Sequence, residues 1–138
     1  MNINKKIDAK IFKAYDIRGV YPDEINEKIV LEIIAAIVKK FKPKKIIVGH
    51  DARLSSPKLY SAAIKLLKSK TNPPTGGLKP IFVGLITTPV LYFLTNNFNA
   101  DLGIMITASH NPKQYNGLKI VGKNAVPISG KQIWKMIS

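Results

Sequence analysis

Apolar residues recur in two rhythms along this chain. Compact runs, Lys45-Ile46-Ile47-Val48-Gly49, Ile81-Phe82-Val83-Gly84-Leu85 and Leu102-Gly103-Ile104-Met105-Ile106, alternate with longer segments whose apolar positions are three or four apart. Ile25, Ile29, Ile33, Ile34, Ile37, Val38 and Phe41 form one such helical face; Leu59, Ala62, Ala63, Leu66 and Leu67 form another. Runs that are apolar throughout suit strands buried on both sides, and the intervening helices are what buries them. The alternation predicts an α/β fold, a sheet covered on both faces by helices.

Local signals set the boundaries. Ile11-Phe12-Lys13-Ala14-Tyr15 reads as a short strand. Pro22-Asp23-Glu24 reads as a helix start, and Pro43 ends that helix after about Lys40. Ser56 before Pro57, and Thr88 before Pro89, read as cap and first helical residue, with helices to about Ser69 and Asn97. Thr71-Asn72-Pro73-Pro74-Thr75-Gly76-Gly77 is a loop by every local signal. Gly117-Leu118-Lys119-Ile120-Val121 is a fourth buried strand, and Ser129 caps a last helix reaching Ser138. Only about ten residues separate the third and fourth strands, too few for a helical crossover, so the fourth is expected antiparallel. No internal repeat is visible, and 138 residues suit one domain. The last helix lacks a closing signal, as if the chain stopped inside a larger architecture.

Charge and cysteine content narrow the classes. The chain carries 22 Lys+Arg against 8 Asp+Glu, a net charge of +14, which favours anionic partners: a phosphorylated metabolite, an acidic surface or nucleic acid. Many of these lysines are also expected on solvated helix faces. The nucleic-acid reading is weak, because the lysines are scattered and no base-stacking or helix-turn-helix pattern accompanies them. The absence of cysteine removes disulfides and thiolate metal sites and fits a cytoplasmic protein. No signal-peptide core is expected near Met1, and no apolar stretch has the length of a membrane span.

The loops that leave the strands carry the chemistry. Loops at the carboxyl ends of parallel strands line the ligand crevice of an open α/β sheet. Here they are Gly49-His50-Asp51-Ala52-Arg53, Ile86-Thr87-Thr88-Pro89 and Thr107-Ala108-Ser109-His110-Asn111-Pro112, with Arg18 a candidate to join them. Ser109 has three readings. As an acyl-transfer nucleophile it is poorly served by His110, since adjacent side chains point apart and no Gly-x-Ser-x-Gly elbow is present. As a turn or capping serine it would be ordinary. As a phosphoserine it would carry nearly two negative charges and call for cations, for which Arg18, Lys113 and Lys119 are candidates. Lys119, beside Leu118 and Ile120, belongs at a strand edge or a site, because burying an unpaired ammonium is costly. His50, His110 and Asp51 on separate loops read as structural groups rather than a metal centre.

Four segments in order, Ala14-Tyr15-Asp16-Ile17-Arg18-Gly19, Val48-Gly49-His50-Asp51-Ala52-Arg53-Leu54-Ser55, Gly84-Leu85-Ile86-Thr87-Thr88-Pro89-Val90-Leu91-Tyr92-Phe93 and Gly103 through Ile120, resemble the first domain of the α-D-phosphohexomutases, the family that includes phosphomannomutase/phosphoglucomutase. The resemblance implies a three-layer α/β/α sandwich with a four-stranded mixed sheet, its last strand antiparallel. It implies an intramolecular phosphotransferase that interconverts hexose 1-phosphate and hexose 6-phosphate, of the mannose/glucose type. Ser109 would be the phosphoserine, hexose 1,6-bisphosphate the intermediate and activator, and sugar phosphate the substrate. His110, Lys119 and Arg18 would be catalytic, and Tyr15, Arg18, Lys119 and Asn111 would bind substrate. Magnesium would meet Ser109 only through its phosphate. The family's acidic magnesium loop is absent, as are its sugar-selecting and phosphate-binding loops. Residues 1–138 thus correspond to family domain I without domains II–IV, inactive alone and completed by the remaining mutase domains. The alternative is a stand-alone phosphosugar-binding or regulatory domain. Two local departures stand out: His50 replaces a common Arg, and the Thr71 to Lys79 loop is long.

Overall fold

The computed structural model describes residues 7–71 and 77–138. The expectations made for Met1-Asn2-Ile3-Asn4-Lys5-Lys6 and for most of the loop after Thr71 lie outside those residues. Strands β1 (Ile17–Val20), β2 (Lys45–His50), β3 (Lys79–Leu85), β4 (Leu102–Ile106), β5 (Tyr115–Gly122) and β6 (Pro127–Ile128) form one mixed sheet. Its order is β1-β5-β4-β2-β3, with β6 on β5. The pairs β2–β3 and β2–β4 are parallel, whereas β5 runs antiparallel to β4, as its short connection required.

Helices α1 (Glu27–Phe41), α2 (Ser56–Ser69), α3 (Thr88–Asn97) and α4 (Gly130–Ile137) cover the two faces unequally. One core joins Ile33, Ile37, Leu59, Leu67 and Ile133 from α1, α2 and α4 to Ile46, Val48, Ile104, Ile106, Leu118 and Ile120 of the sheet. On the other face Leu91 of α3 packs with Ile47, Met105 and Val121. The alternation 118, 120 against 119, 121 along β5 therefore distinguishes the two sides of the sheet.

Among the described residues the sheet has six strands rather than four, and the reason lies in β5. It is eight residues long, and its outer edge would be left bare beyond one short partner. β1 pairs with Tyr115 to Leu118, and β6 covers Val121 and Ile120. The expected strand at Ile11 to Tyr15 is also displaced. Asp8 caps a single 3₁₀ turn at Ala9–Ile11 by accepting the Lys10 N–H, and the Lys13 N–H to Asp16 carbonyl bond closes a turn, so extended pairing begins only at Ile17. Likewise Pro22 does not open α1. Asn26 caps it, accepting the Ile29 N–H at 3.0 Å, because Glu24 is engaged in holding the preceding turn. Ser129 caps α4 as expected, in a reciprocal box with Gln132.

Glu24 gives that turn a pH dependence. Its carboxylate pairs with Lys10 at 2.6 Å and accepts the Val20 N–H at 2.8 Å. The Lys10 hydrogen bond foremost, then the Val20 N–H, hold its pKa below the ordinary 4.5. A lowered folded pKa gives stability that is present above the unfolded value and lost as pH falls through the folded one. The β1–α1 turn should therefore stay intact down to pH 4.5 and loosen below it. An NMR titration of the Val20 amide checks this: a transition centred at or above 4.5 would contradict the pairing.

Candidate functional site

Polar loops collect where β2, β3 and β4 end. There an open groove of about 550 Å³ is lined by Asp51, Ala52, Leu85, Ile86, Thr87, Thr88, Val90 and Met105. The serine loop leaves β4 on the same edge, at the switch from parallel to antiparallel pairing.

Ser109 is exposed and stands in the left-handed region, with φ of 56°. An L-residue there costs about 1–2 kcal/mol, so the surroundings must impose it. The Ser109 N–H donates to Thr107 Oγ1 at 3.0 Å. Asn111 donates twice to the Ala108 carbonyl, from its backbone N–H at 3.1 Å and from Nδ2 at 2.8 Å. Tyr115 N–H to the Pro112 carbonyl, 2.9 Å, closes the loop onto β5.

Arg53 binds the whole loop together. Its Nη1 donates to the carbonyls of Pro112 (2.8 Å) and Tyr115 (3.2 Å), and its Nη2 to those of Ser109 (2.7 Å) and Asn111 (2.7 Å). Nε lies 3.3 Å from Asp51 Oδ2. Asp51 Oδ1 in turn accepts Ser56 Oγ–H at 2.6 Å and the Arg53 N–H at 3.2 Å. This explains why Ser56, expected as the α2 cap, is instead its first residue: Asp51 takes its hydroxyl, and Ser55 occupies the cap position without a side-chain bond to the helix's first turn. Asn116 Nδ2 then donates to Ser55 and Ser56 Oγ, at 2.7 and 3.0 Å.

Register brings two of the expected cations to one side. Arg18 pairs with Gly117, and Lys119 pairs with Met105. Positions 117, 119 and 121 share a face, that of Met105 and Val121, so Arg18 and Lys119 project on the α3 side of the sheet. Asp16, only 5% exposed, approaches Arg18 Nε at 3.3 Å and restrains it. His110 and Lys113 are exposed on the serine loop. Tyr15, 74% exposed, is carried on a separate turn. Asn111 spends its amide inside the loop, a use its expected contact with substrate did not foresee. His50 faces away from this group: its ring packs at a tilt against Tyr60 of α2, centroids 4.5 Å apart, with Nδ1 2.7 Å from the Asp51 carbonyl.

Among the described residues no group of three or more His, Asp or Glu could hold a metal ion. Magnesium demands several oxygen ligands in octahedral array, and the nearest loop acid, Asp51, is committed to Arg53 and Ser56. The residues described here do not make a magnesium site by themselves. Nor, among them, is any helix long and apolar enough to cross a membrane.

A mixed sheet covered on both faces by helices, with cationic and hydroxyl groups at its carboxyl edge, defines a domain of the α/β/α class. The chain belongs to the phosphoglucomutase/phosphomannomutase family: the model for its alpha/beta/alpha domain I matches residues 9–138. A phosphomannomutase of Klebsiella pneumoniae is 45% identical over 119 residues, covering 86% of this chain and 72% of that one. A phosphomannomutase of Methanocaldococcus jannaschii is 42% identical over 122 residues, covering 88% of this chain and 25% of its own length. The chain thus spans about a quarter of the length of that relative. A crystal structure of a phosphoglucomutase/phosphomannomutase family protein from Burkholderia thailandensis superposes with a TM-score of 0.76 at 33% identity, covering 94% of this chain and 29% of that one.

Proposed function

We propose that this chain is the phosphoryl-carrying first domain of a hexose-phosphate mutase of the mannose/glucose type, with Ser109 as the carrier. The observation that carries the reading is Ser109 itself. It is an exposed hydroxyl in a left-handed turn, held by a loop tied at Ser109, Asn111 and Tyr115 and clamped by Arg53, at the edge that also bears Lys119 and Arg18. A serine that only turned the chain would have no need of this scaffold.

Phosphorylated Ser109 would give its phosphoryl group to a free hydroxyl of a hexose monophosphate. The Ser109 Oγ–P bond breaks, a sugar O–P bond forms, and the hydroxyl proton passes to a base while Oγ regains a proton. The product is a hexose 1,6-bisphosphate, whose other phosphate then returns to Ser109 in the reverse sense. His110, beside Ser109, and Lys119 are the groups assigned to proton transfer. Arg18 and Lys119 balance charge on the transferring group, which is most of what phosphoryl transfer asks of a protein. Tyr15 and Asn111 are assigned to the sugar side of the cleft. Magnesium would add charge neutralisation through an oxygen of the Ser109 phosphate, with its acidic ligands supplied by the remaining mutase domains.

Residues 9–138 match family domain I without interruption, which favours this reading over a stand-alone regulatory domain. Turnover needs the other domains, so the isolated chain is expected to show almost none. The direct test is intact mass and peptide mapping of the chain joined to the remaining mutase domains, after exposure to hexose 1,6-bisphosphate and magnesium. One phosphoryl group on the Ser109 peptide is expected. Phosphate on other residues and never on Ser109 would sink the assignment.

A further inference from the structure

We infer that Arg53 is a positioning residue for Ser109, one whose guanidinium is consumed by the protein and so takes no part in binding substrate phosphate. A guanidinium has five N–H donors in a planar fork and no acceptor. Four are directed at the carbonyls of Ser109, Asn111, Pro112 and Tyr115, and Nε pairs in charge with Asp51 Oδ2 at 3.3 Å. No Nη donor is left for an incoming anion. This runs against the usual expectation that an arginine in a basic, phosphate-handling site is there to hold phosphate.

The four carbonyls bracket the loop from the serine to the first residue of β5. One rigid plane therefore fixes both ends of the segment and the left-handed backbone between its neighbours. The Arg53 side chain is 12% exposed, and its bonds to Tyr115 and Asn111 are part-buried while those to Ser109 and Pro112 lie at the surface. Behind it, Asp51, Ser56 and Asn116 tie the fork to the first turn of α2 and to β5. Lysine retains the charge but has three donors from one point and cannot span four carbonyls.

The purpose assigned to this clamp rests on Ser109 being the phosphoryl carrier; the clamp itself does not. The test uses this chain with Arg53→Ala and Arg53→Lys. In the parent, the Arg53 Nη–H signals should be resolved and slow to exchange, and adding inorganic phosphate should leave them unshifted. In both variants, amide hydrogen exchange across residues 109–115 should rise about tenfold or more while Ile47 and Ile104 keep their protection. Free guanidinium should restore part of the protection in Arg53→Ala and none in Arg53→Lys. Wild-type loop protection in Arg53→Lys, or a phosphate-dependent shift of the Nη signals, would overturn the proposal. If the variants unfold throughout, the parent decides alone: freely rotating, fast-exchanging Nη groups would overturn it. Loop protection that depends on Arg53, with Ser109 never accepting phosphate even when the remaining mutase domains are present, would leave the clamp standing and remove the mutase reading.

Discussion

Ser109→Gly is expected to give a chain that is more stable than the parent and unable to accept phosphate. Ser109 holds φ of 56°, which glycine adopts without the side-chain penalty of about 1–2 kcal/mol. Glycine also gives the unfolded chain more freedom, which offsets about 0.4–1 kcal/mol of that gain. The net expectation is a stabilisation on the order of 0.5–1 kcal/mol. The bond from the residue 109 N–H to Thr107 Oγ1 survives, because it is made by backbone. Ser109→Ala serves as the partner experiment: it retains the Cβ and the strain, so its stability should match the parent within about 0.5 kcal/mol. Neither variant should gain a phosphoryl group from hexose 1,6-bisphosphate. Denaturant melts and intact mass read both effects. A glycine variant weaker than the alanine one would mean that the loop stores no strain at Ser109; phosphorylation of either would move the carrier elsewhere. Trading stability for a positioned reactive group is a common property of functional sites.

The largest loss of stability is expected from Gly117→Ala. A Cβ at position 117 would run into the carbonyl oxygen of Ile17, with Ile17 C and Arg18 Cα each only 2.8 Å away. These are backbone atoms of the paired strand, so no rotamer change relieves the clash, and β1 must separate from β5. Ile17, 1% exposed, would leave the main core with it. A loss of about 3 kcal/mol follows, a drop of roughly 10 °C in Tm for a domain of this size. Because β1 also carries Arg18 opposite Gly117, phosphate transfer to Ser109 should slow further than stability alone accounts for. Gly122→Ala is the control on the same strand: the nearest atom to its added Cβ is Ile128 Cδ1 at 3.5 Å, ordinary contact. Equal melting of the two variants would show that the β1–β5 approach is looser than described.

Much of the architecture was readable from residue order. The apolar runs at Ile46 to Val48 and Leu102 to Ile106 are fully buried strands, and the face from Ile29 to Ile37 packs as its spacing required. The antiparallel β5 followed from a connection too short for a crossover. The errors cluster at Ile11 to Glu24, where a 3₁₀ turn, a bridge between Phe12 and Ile17 and the Glu24 contacts displace both the strand and the helix start. Those outcomes depend on partners from other elements, and local propensity does not include them.

The candidate site divides in the same way. Ser109 and His110 stood out on their loop and Lys119 and Arg18 as candidate cations, and their roles belong to the proposal. The use of Arg53 was not. Its acceptors lie 56 to 62 residues away and are backbone carbonyls, which look alike in every sequence. Asp51 and Arg53 stood in a recognisable loop, but nothing in their spacing said whether they faced a ligand or the protein.

The amino-acid order by itself thus determined the alternation of strands and helices, the hydroxyl-bearing loop at the end of β4 and the family. Hydrophobic periodicity and short motifs encode these, and both are properties of neighbouring residues. Only the tertiary structure decided that Arg18 and Lys119 share a sheet face, that the sheet's outer edge is shared by β1 and β6, and that Arg53 is spent on the serine loop. Register and long-range hydrogen bonds create these, and they exist only once distant segments are packed together.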